Sequence, residues 1–233
     1  MNKNKIIELK NVNKIYKTKV EEIHILKNIN LAFNKGDFIS IQGKSGSGKT
    51  SLLNILGLLD EPTDGEIYIG GEKIHYNEKT KNIIRNEKIG FVFQFHYLLN
   101  EFTALENVMM PALINKNMNR NEAQKKAKEL LALVGLEKRT KHKPMELSGG
   151  EKQRVAIARA MVNDPDIILA DEPTGNLDTE TSNLINQLFM KINKERQQSI
   201  IIVTHSLELA NLAAYKYKIE NGEFNMILPT IQF

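Results

Sequence analysis

Short apolar runs alternate with longer segments of helical spacing along most of this chain. The runs are rich in β-branched residues, which is typical of strands, and apolar residues three and four apart predict helices. The alternation after Gly36 predicts an α/β sheet, and the mostly helical region 79–147 could stand apart as a sub-domain. Strands are predicted at 6–12, 29–33, 37–42, 89–93, 166–170 and 199–205, hairpins at 66–74 and 216–227, and helices at 51–59, 79–88, 103–115, 119–134, 148–162, 179–195 and 207–214.

Cap and turn signals mark some of these boundaries. Thr103 followed by Glu106 has the spacing of a capping box at the start of a helix. Pro111 lies inside the same helix and is expected to kink or divide it, because proline lacks the N–H that the helix needs. The pair Asn221-Gly222 predicts a tight turn between the last two strands.

Composition narrows the class of protein. With 233 residues and 41% hydrophobic content, the chain suits one globular domain with a sub-domain. The 32 basic and 28 acidic side chains leave a net charge of +4, which is too weak to indicate nucleic acid binding. There are no cysteines, which excludes disulfides and thiolate metal sites. No apolar run approaches the roughly 20 residues that cross a bilayer, so we expect no span within the chain.

The segment GKSGSGKT, Gly43 to Thr50, follows a predicted strand and precedes a predicted helix. Its glycines let the backbone curl so that N–H groups point at phosphate, and the helix N-terminus adds a positive dipole end. Lys49 brings a cation to the β- and γ-phosphates, and the Thr50 hydroxyl suits Mg²⁺. The alternative, a Gly/Ser turn before Lys-Thr, leaves the flanking elements unexplained.

Two acids follow a buried strand in DIILADEPTGNLD, residues 166–178. Carboxylates at the exit of a parallel strand face the crevice where nucleotides bind. Asp171 is therefore a candidate Mg²⁺ ligand, and Glu172 is a candidate for polarising the water that attacks a γ-phosphate. A pair of solvated acids at a strand end is the alternative for this motif taken alone.

The segment LSGGEKQRVAIARAMV, residues 147–162, begins a helix with two poor helix formers. Ser148 and Glu151 have capping-box spacing, which is also what an ordinary helix start would show. Gly149 and Gly150 make sense if a ligand approaches the backbone closely. A serine hydroxyl, open N–H groups and a helix dipole would together form a second phosphate site.

Taken together, these motifs resemble the ATP-binding-cassette ATPases. GKSGSGKT, Gln94, LSGGEKQR, ILADEP, GNLD and His205 occur in that family's order and span almost the whole chain. The resemblance implies a P-loop NTPase of the ABC ATPase type, with a RecA-like core, an antiparallel β sub-domain and a helical sub-domain. It implies one nucleotide-binding domain over 1–233, with core and β sub-domain at 1–78 and 163–233, and the helical part at about 79–162.

The same resemblance implies that two copies meet head to tail and hold ATP and Mg²⁺ between them. Asn176 to Asp178 would cross that interface. Taken without the family, Tyr16 could be a strand-end aromatic and His205 a hydrogen-bonded histidine. Ser206 stands where relatives usually carry Asp, which puts the polarity around His205 in doubt. The implied nucleotide contacts are Tyr16 (on adenine), Gly43, Ser45, Gly46, Ser47, Gly48, Lys49, Thr50, Ser51, Ser148, Gly149, Gly150 and Asp178; the implied catalytic residues are Gln94, Glu172 and His205; the implied Mg²⁺ ligands are Thr50, Gln94 and Asp171.

Three classes of cassette protein compete. DNA-repair ATPases insert long coiled coils that this chain lacks, and ribosome-acting relatives carry two cassettes, so a transporter subunit is favoured. The stretch QFHYLLNEFTALENVMMPALI resembles ATP-binding subunits of lipoprotein-releasing systems, with macrolide- and peptide-efflux ATPases as the alternative. The resemblance implies membrane subunits that dock near Phe95–Leu99, and a place at the cytoplasmic face of the inner membrane. Packing within the sub-domain is the alternative for these apolar side chains.

Overall fold

The computed structural model describes residues 5–18, 20–114 and 118–227. Within these ranges the chain forms ten β-strands, seven α-helices and one short 3₁₀ turn. The strands are β1 (Lys5–Lys17), β2 (Glu22–Asn34), β3 (Phe38–Gln42), β4 (Asp64–Ile69), β5 (Glu72–Lys73), β6 (Ile89–Val92), β7 (Ile167–Asp171), β8 (Ser199–Val203), β9 (Tyr215–Glu220) and β10 (Glu223–Ile227). The helices are α1 (Lys49–Leu56), α2 (Glu78–Lys88), α3 (Ala104–Ile114), α4 (Arg120–Leu133), α5 (Gly149–Met161), α6 (Thr179–Arg196) and α7 (Leu207–Leu212).

A six-stranded sheet runs through the middle of the molecule in the order β10-β9-β3-β8-β7-β6. Its neighbours pair in parallel from β9 to β6, and only β10 is antiparallel. The inner strands β3, β7 and β8 are mostly apolar and buried, as expected where both faces of a sheet are covered. Alternate residues of β8 therefore enter two different cores, with Ile200 and Ile202 on one face and Ile201 and Val203 on the other.

A second sheet, antiparallel and four-stranded, has the order β2-β1-β4-β5. It shares one core with α1 and one face of the central sheet. β1 and β2 are longer than the predicted strands at 6–12 and 29–33, because irregularities in the register near Lys14 let the polar residues beyond them stay paired. The Lys27 N–H donates to the Gly222 carbonyl at 2.8 Å and joins this sheet to the last hairpin.

The other core lies between the central sheet and the helices α3 to α7. α3 is not divided at Pro111, because Val108, Met109 and Ala112 are buried on both sides of the proline and keep the flanking turns together. The predicted capping box at its start is present, since Thr103 and Glu106 exchange bonds between backbone N–H and side chain. The last residue of the predicted helix, 115, lies outside the described residues.

The final hairpin turns where the sequence predicts. Asn221 and Gly222 have φ angles of 50° and 83°, the left-handed pair that a two-residue turn of this type requires. In the part of the chain that the structure describes, no helix has the length and apolar character needed to cross a membrane.

Candidate functional site

The loop between β3 and α1 has an open helix N-terminus at its centre. Gly48 precedes α1 with a φ of 102°, and no side chain caps the first turn. The first N–H groups of the helix therefore face the loop, where an anion can accept them. A side chain at Gly48 would be strained by this φ angle and would also lie 3.0 Å from Ile25.

Lys49 lies over this loop. Its ammonium donates to the carbonyls of Gly43 at 2.8 Å and Lys44 at 2.9 Å. The cation is thus held beside the N–H groups that face the loop. The combination is suited to the negative charge of a polyphosphate.

A cavity of about 510 Å³ extends from this loop to the ends of β6, β7 and β8. It brings together most of the predicted catalytic, phosphate and metal residues, although they are widely separated in sequence. The lining consists of Ile25, Gly43, Lys44, Ser45, Gly46, Gly48, Lys49, Thr50, Ser51, Gln94, Asp171, Glu172 and His205.

The acid pair lies at the end of β7. The Thr50 hydroxyl is 3.5 Å from a carboxylate oxygen of Asp171, so the loop and the strand end converge there. Burial, followed by the charge of Glu172, raises the pKa of Asp171 above its ordinary value. These oxygen donors suit Mg²⁺, which is usually held by one or two carboxylates together with substrate phosphates.

Glu172 is fixed by the neighbouring strand. Its carboxylate accepts hydrogen bonds from the Thr204 hydroxyl at 3.0 Å and the His205 N–H at 3.2 Å. The His205 ring nitrogen Nδ1 lies 2.8 Å from the other carboxylate oxygen. Glu172 itself has a φ of 44°, a left-handed value that is uncommon for a residue with a side chain. The carboxylate is therefore presented to the cavity in one orientation.

Thr204 is a member of this site that the sequence reasoning missed. Thr204 is fully buried, and its hydroxyl donates to the carboxylate of Glu172. The available signal was a polar residue directly after the apolar run 200–203, in the strand next to the acid-bearing one. That signal needs the β7–β8 pairing, in which Asp171 lies opposite Val203, before it points to Glu172.

Gln94 reaches the cavity from the end of β6. Its side-chain amide donates to Asn176 at 3.0 Å, in the loop after the acid pair. A Cβ atom at Gly175 would lie 2.9 Å from this amide nitrogen. Gly175 thus leaves room for Gln94 to cross toward the acids.

Six predicted nucleotide residues lie outside the lining of this cavity: Tyr16, Ser47, Ser148, Gly149, Gly150 and Asp178. Ser148 forms the predicted capping box with Glu151, and Asp178 caps α6 by accepting from the backbone and hydroxyl of Thr181.

Close approach of a ligand does not by itself explain the glycine at position 150. A side chain there would overlap the Thr181 methyl group, so packing of α5 on α6 already requires glycine without any ligand. Gly149 is less constrained, with a Leu177 methyl group 3.3 Å from a Cβ position.

Comparison with known proteins identifies the arrangement. The family model described as ABC transporter matches residues 26–175, which span the phosphate loop, Gln94, α5 and the acid pair. The chain belongs to the ABC transporter family.

Curated relatives of this ABC protein match it almost end to end. The lipoprotein-releasing system ATP-binding protein LolD of Rickettsia bellii is 50% identical over 223 residues, which cover 96% of this chain and 99% of the relative. LolD of Aquifex aeolicus is 47% identical, with 94% and 95% covered. Among solved structures, the ATP-binding cassette MJ0796, a dimer in a post-hydrolysis state bound to ADP and Pi, superimposes with a TM-score of 0.86 at 44% identity, covering 95% and 98% of the two chains.

A second surface of the cassette lies beside Gln94. Phe95 and Tyr97 are 62% and 66% exposed, whereas Leu98 packs against the core, so the predicted stretch divides between surface and interior. Phe91 and Phe93 are only partly buried and stack on each other with ring centroids 5.5 Å apart. They line a groove of about 590 Å³ together with Leu59, Asn82, Arg85, Asn86, Ile89, Gly90, Pro111, Ile114, Arg159, Ala160, Val162 and Asn163.

α5 holds this exposed stretch in place. The Arg159 guanidinium donates to the carbonyl of Tyr97 at 2.6 Å and to that of His96 at 2.8 Å. Tyr97 has a φ of 46°, so the backbone turns sharply at the residue that Arg159 holds. Burial and the nearby charge of Lys152 lower the pKa of His96.

Ser206 takes over a role that aspartate can also fill. Its hydroxyl accepts the Leu209 N–H at 3.4 Å and caps α7, and its own N–H donates to Thr204 at 3.0 Å. Serine and aspartate are both strong N-cap residues. The departure from the family pattern therefore keeps the helix start that follows His205.

We predict that Ser206→Ala lowers the free energy of unfolding by about 1 kcal/mol, because the cap is lost. Ser206→Asp is the matched variant and should preserve stability within about 0.5 kcal/mol. Urea unfolding followed by circular dichroism measures both. Equal losses for the alanine and aspartate variants would contradict the capping role.

Proposed function

We propose that this chain is the ATP-hydrolysing subunit of an ABC transporter that powers the release of lipoproteins from the bacterial inner membrane. The assignment of lipoproteins as the cargo is supported by relatives named LolD, which are 47–50% identical over nearly their whole length. The assignment of ATP hydrolysis is supported by the cavity that Glu172 lines together with the phosphate loop.

In this proposal the loop from Gly43 to Ser51 holds the phosphates of ATP through its N–H groups and the Lys49 ammonium. The open N-terminus of α1 and the lysine beside it support that role. Tyr16 stacks on the adenine. This residue is 40% exposed and lies on the same sheet that contributes Ile25 to the cavity.

Thr50 and Asp171 would hold Mg²⁺, with Gln94 close enough in the same cavity to take part. The hydroxyl, carboxylate and amide oxygens of these residues are the hard donors that this ion prefers. When bound with ATP, the ion offsets negative charge on the β- and γ-phosphates.

Glu172 acts as the general base. It takes a proton from a water whose oxygen attacks the γ-phosphorus, while the bond from that phosphorus to the oxygen of the ADP product breaks. Gln94 orients the water, and His205 contacts the γ-phosphate. The bonds from Thr204 and the His205 N–H support this assignment, since they fix the carboxylate before substrate arrives.

The working form is a head-to-tail dimer in which each ATP is shared. Ser148, Gly149 and Gly150 lie at the N-terminus of α5, outside their own chain's cavity, as a contribution to a second copy's site requires. Asp178 crosses the same interface. The dimeric state of the similar cassette MJ0796 supports this assembly.

Membrane subunits dock on the surface around Phe95–Leu99, at the cytoplasmic face of the inner membrane. The exposed aromatic side chains and the adjoining groove support this, because exposed apolar patches mark interaction surfaces. The proposed division of 1–233 assigns the ATP core and β sub-domain to 1–78 and 163–233, and the docking surface and helical sub-domain to about 79–162.

We predict that Glu172→Gln binds MgATP with near wild-type affinity and hydrolyses it roughly 10²- to 10⁴-fold more slowly, because the proton acceptor is lost. Phosphate release measures the rate, and the variant should accumulate as a closed dimer in gel filtration with ATP. Glu195→Gln, at an exposed position near the end of α6, is the matched control and should retain the wild-type rate. Hydrolysis by Glu172→Gln at that rate would remove Glu172 from the base role.

We also predict that Ser148→Arg retains ATP affinity but fails to form the closed dimer, because a long cation enters the shared interface. Sedimentation of this variant in an ATP-bound, hydrolysis-deficient background measures closure directly. In the wild type, hydrolysis per chain should rise with protein concentration. A rate that is independent of concentration in an isolated monomer would contradict the shared site.

The cargo is tested with membranes that contain the chain and the membrane subunits that co-purify with it. Adding ATP should release acylated proteins into the soluble fraction, and the Glu172→Gln variant should abolish the release. ATP-dependent movement of a macrolide or peptide, with no acylated protein released, would instead favour an efflux transporter.

A further inference from the structure

Asp60 lies outside the cavity and connects the helix α1 to Tyr16. Tyr16 is the aromatic residue assigned above to the adenine base of ATP. Asp60 lies just after α1, and its two oxygens accept from the Tyr16 hydroxyl at 2.9 Å and the Lys14 ammonium at 2.7 Å. The mechanism proposed above does not use this acid. Tyr16 and Lys14 precede Asp60 by 44 and 46 positions in the sequence, so these bonds connect distant segments.

Lys14 is buried and makes three interactions at once. Besides Asp60, its ammonium donates to the Glu61 carbonyl at 2.8 Å and lies over the Tyr16 ring, 4.8 Å from the centroid. An ammonium at this distance is attracted to the face of an aromatic ring. One face of the Tyr16 ring is therefore occupied, while 40% of the residue remains exposed.

Strand pairing connects Tyr16 to a strand that reaches the cavity. Tyr16 pairs with Ile23 across the β1–β2 ladder, so their side chains lie on one face of the sheet. Ile25 is two residues further along β2, at the register irregularity between the Lys14–Leu26 and Ile15–His24 pairs, and it lines the cavity beside the phosphate loop. Tyr16 is thus paired with the same strand that contributes Ile25 to the cavity.

Asp60 is also tied to the helix that begins at the phosphate loop. Its N–H donates to the carbonyl of Asn54, in α1, at 3.2 Å. α1 begins at Lys49, so one short helix connects the loop to the carboxylate. Burial raises the pKa of Asp60, but the bonds from Lys14 and Tyr16 lower it below its ordinary value, which keeps the carboxylate ionised at neutral pH.

We propose that Asp60, together with Lys14, is a positioning residue that fixes the Tyr16 ring for stacking on the base of the nucleotide. The inference rests on the proposed function, because Tyr16 as the base contact belongs to that function. A ring held in one orientation loses less conformational freedom when a base stacks on it. Because Asp60 is anchored to α1, the distance between the phosphate contacts and the base contact is set within one rigid unit.

The test compares a ligand that has a base with one that does not. Isothermal titration with MgATP and with Mg-tripolyphosphate measures the dissociation constants of wild type, Asp60→Asn and Tyr16→Phe. Each variant should weaken ATP about three- to tenfold, the effect of one lost hydrogen bond, and leave tripolyphosphate unchanged. Asp64→Asn, at an exposed acid four positions on, is the matched control and should alter neither constant.

A double-mutant cycle separates positioning from simple support of the fold. In a Tyr16→Ala background, Asp60→Asn should cause no further loss of ATP affinity, because the ring it positions is gone. Equal weakening of both ligands, or additive losses in that background, would overturn the proposal. Tyr16→Phe keeps the carboxylate and the Lys14 ion pair, so it tests the hydroxyl bond even where Asp60→Asn unfolds.

The same measurements distinguish this inference from the proposed function. If Tyr16→Ala weakens ATP but Asp60→Asn and Tyr16→Phe do not, positioning by Asp60 is wrong and the base contact stands. If Tyr16→Ala leaves ATP affinity unchanged, the base contact in the proposed function is itself wrong, and the positioning role falls with it.

Discussion

The parallel pairing of β3, β8, β7 and β6 determines where the functional groups of this molecule lie. Parallel strands end at the same edge of a sheet, and each of these four ends in a different part of the site. β3 leads into the phosphate loop, β8 into Thr204 and His205, β7 into the acid pair, and β6 into Gln94. A slip of one residue in any pair would turn its side chains to the opposite face and separate the groups. The two cores on either side of the sheet fix this register, since alternate residues fill each of them.

Glu172 illustrates how the sheet sustains an unfavourable local conformation. A left-handed backbone at a non-glycine residue costs on the order of 1 kcal/mol or more and persists only where surrounding contacts enforce it. Here the Glu172 N–H donates to the Val203 carbonyl at 2.9 Å, and the carboxylate is held by Thr204 and His205. The backbone of Glu172 is thus held by the last residue of β8, and its carboxylate by the two residues that follow. Both the conformation and the orientation of this acid therefore depend on β8 and the segment that follows it.

Much of the fold and the site is local enough to be predicted from the sequence. The elements, the capping boxes at Thr103 and Ser148, and the turn at Asn221 depend on residues within a few positions of one another. Contacts between distant segments were not predictable, because no local pattern encodes them. Thr204 on Glu172 and Thr181 against Gly150 both need the tertiary arrangement. The undivided α3 has the same cause, since packing on both sides of Pro111 outweighed the local preference of proline.

The bonds from Arg159 to the carbonyls of His96 and Tyr97 connect α5 directly to the exposed surface beside Gln94. This helix has 13 residues and is about 20 Å long, with Ser148 just before one end and Arg159 near the other. The backbone of the exposed stretch at 95–99 is bonded to this helix in two places through the Arg159 side chain. One continuous helix therefore connects the exposed stretch to the serine proposed for the shared nucleotide site. A movement of this helix as a unit would couple the two surfaces without any change of secondary structure.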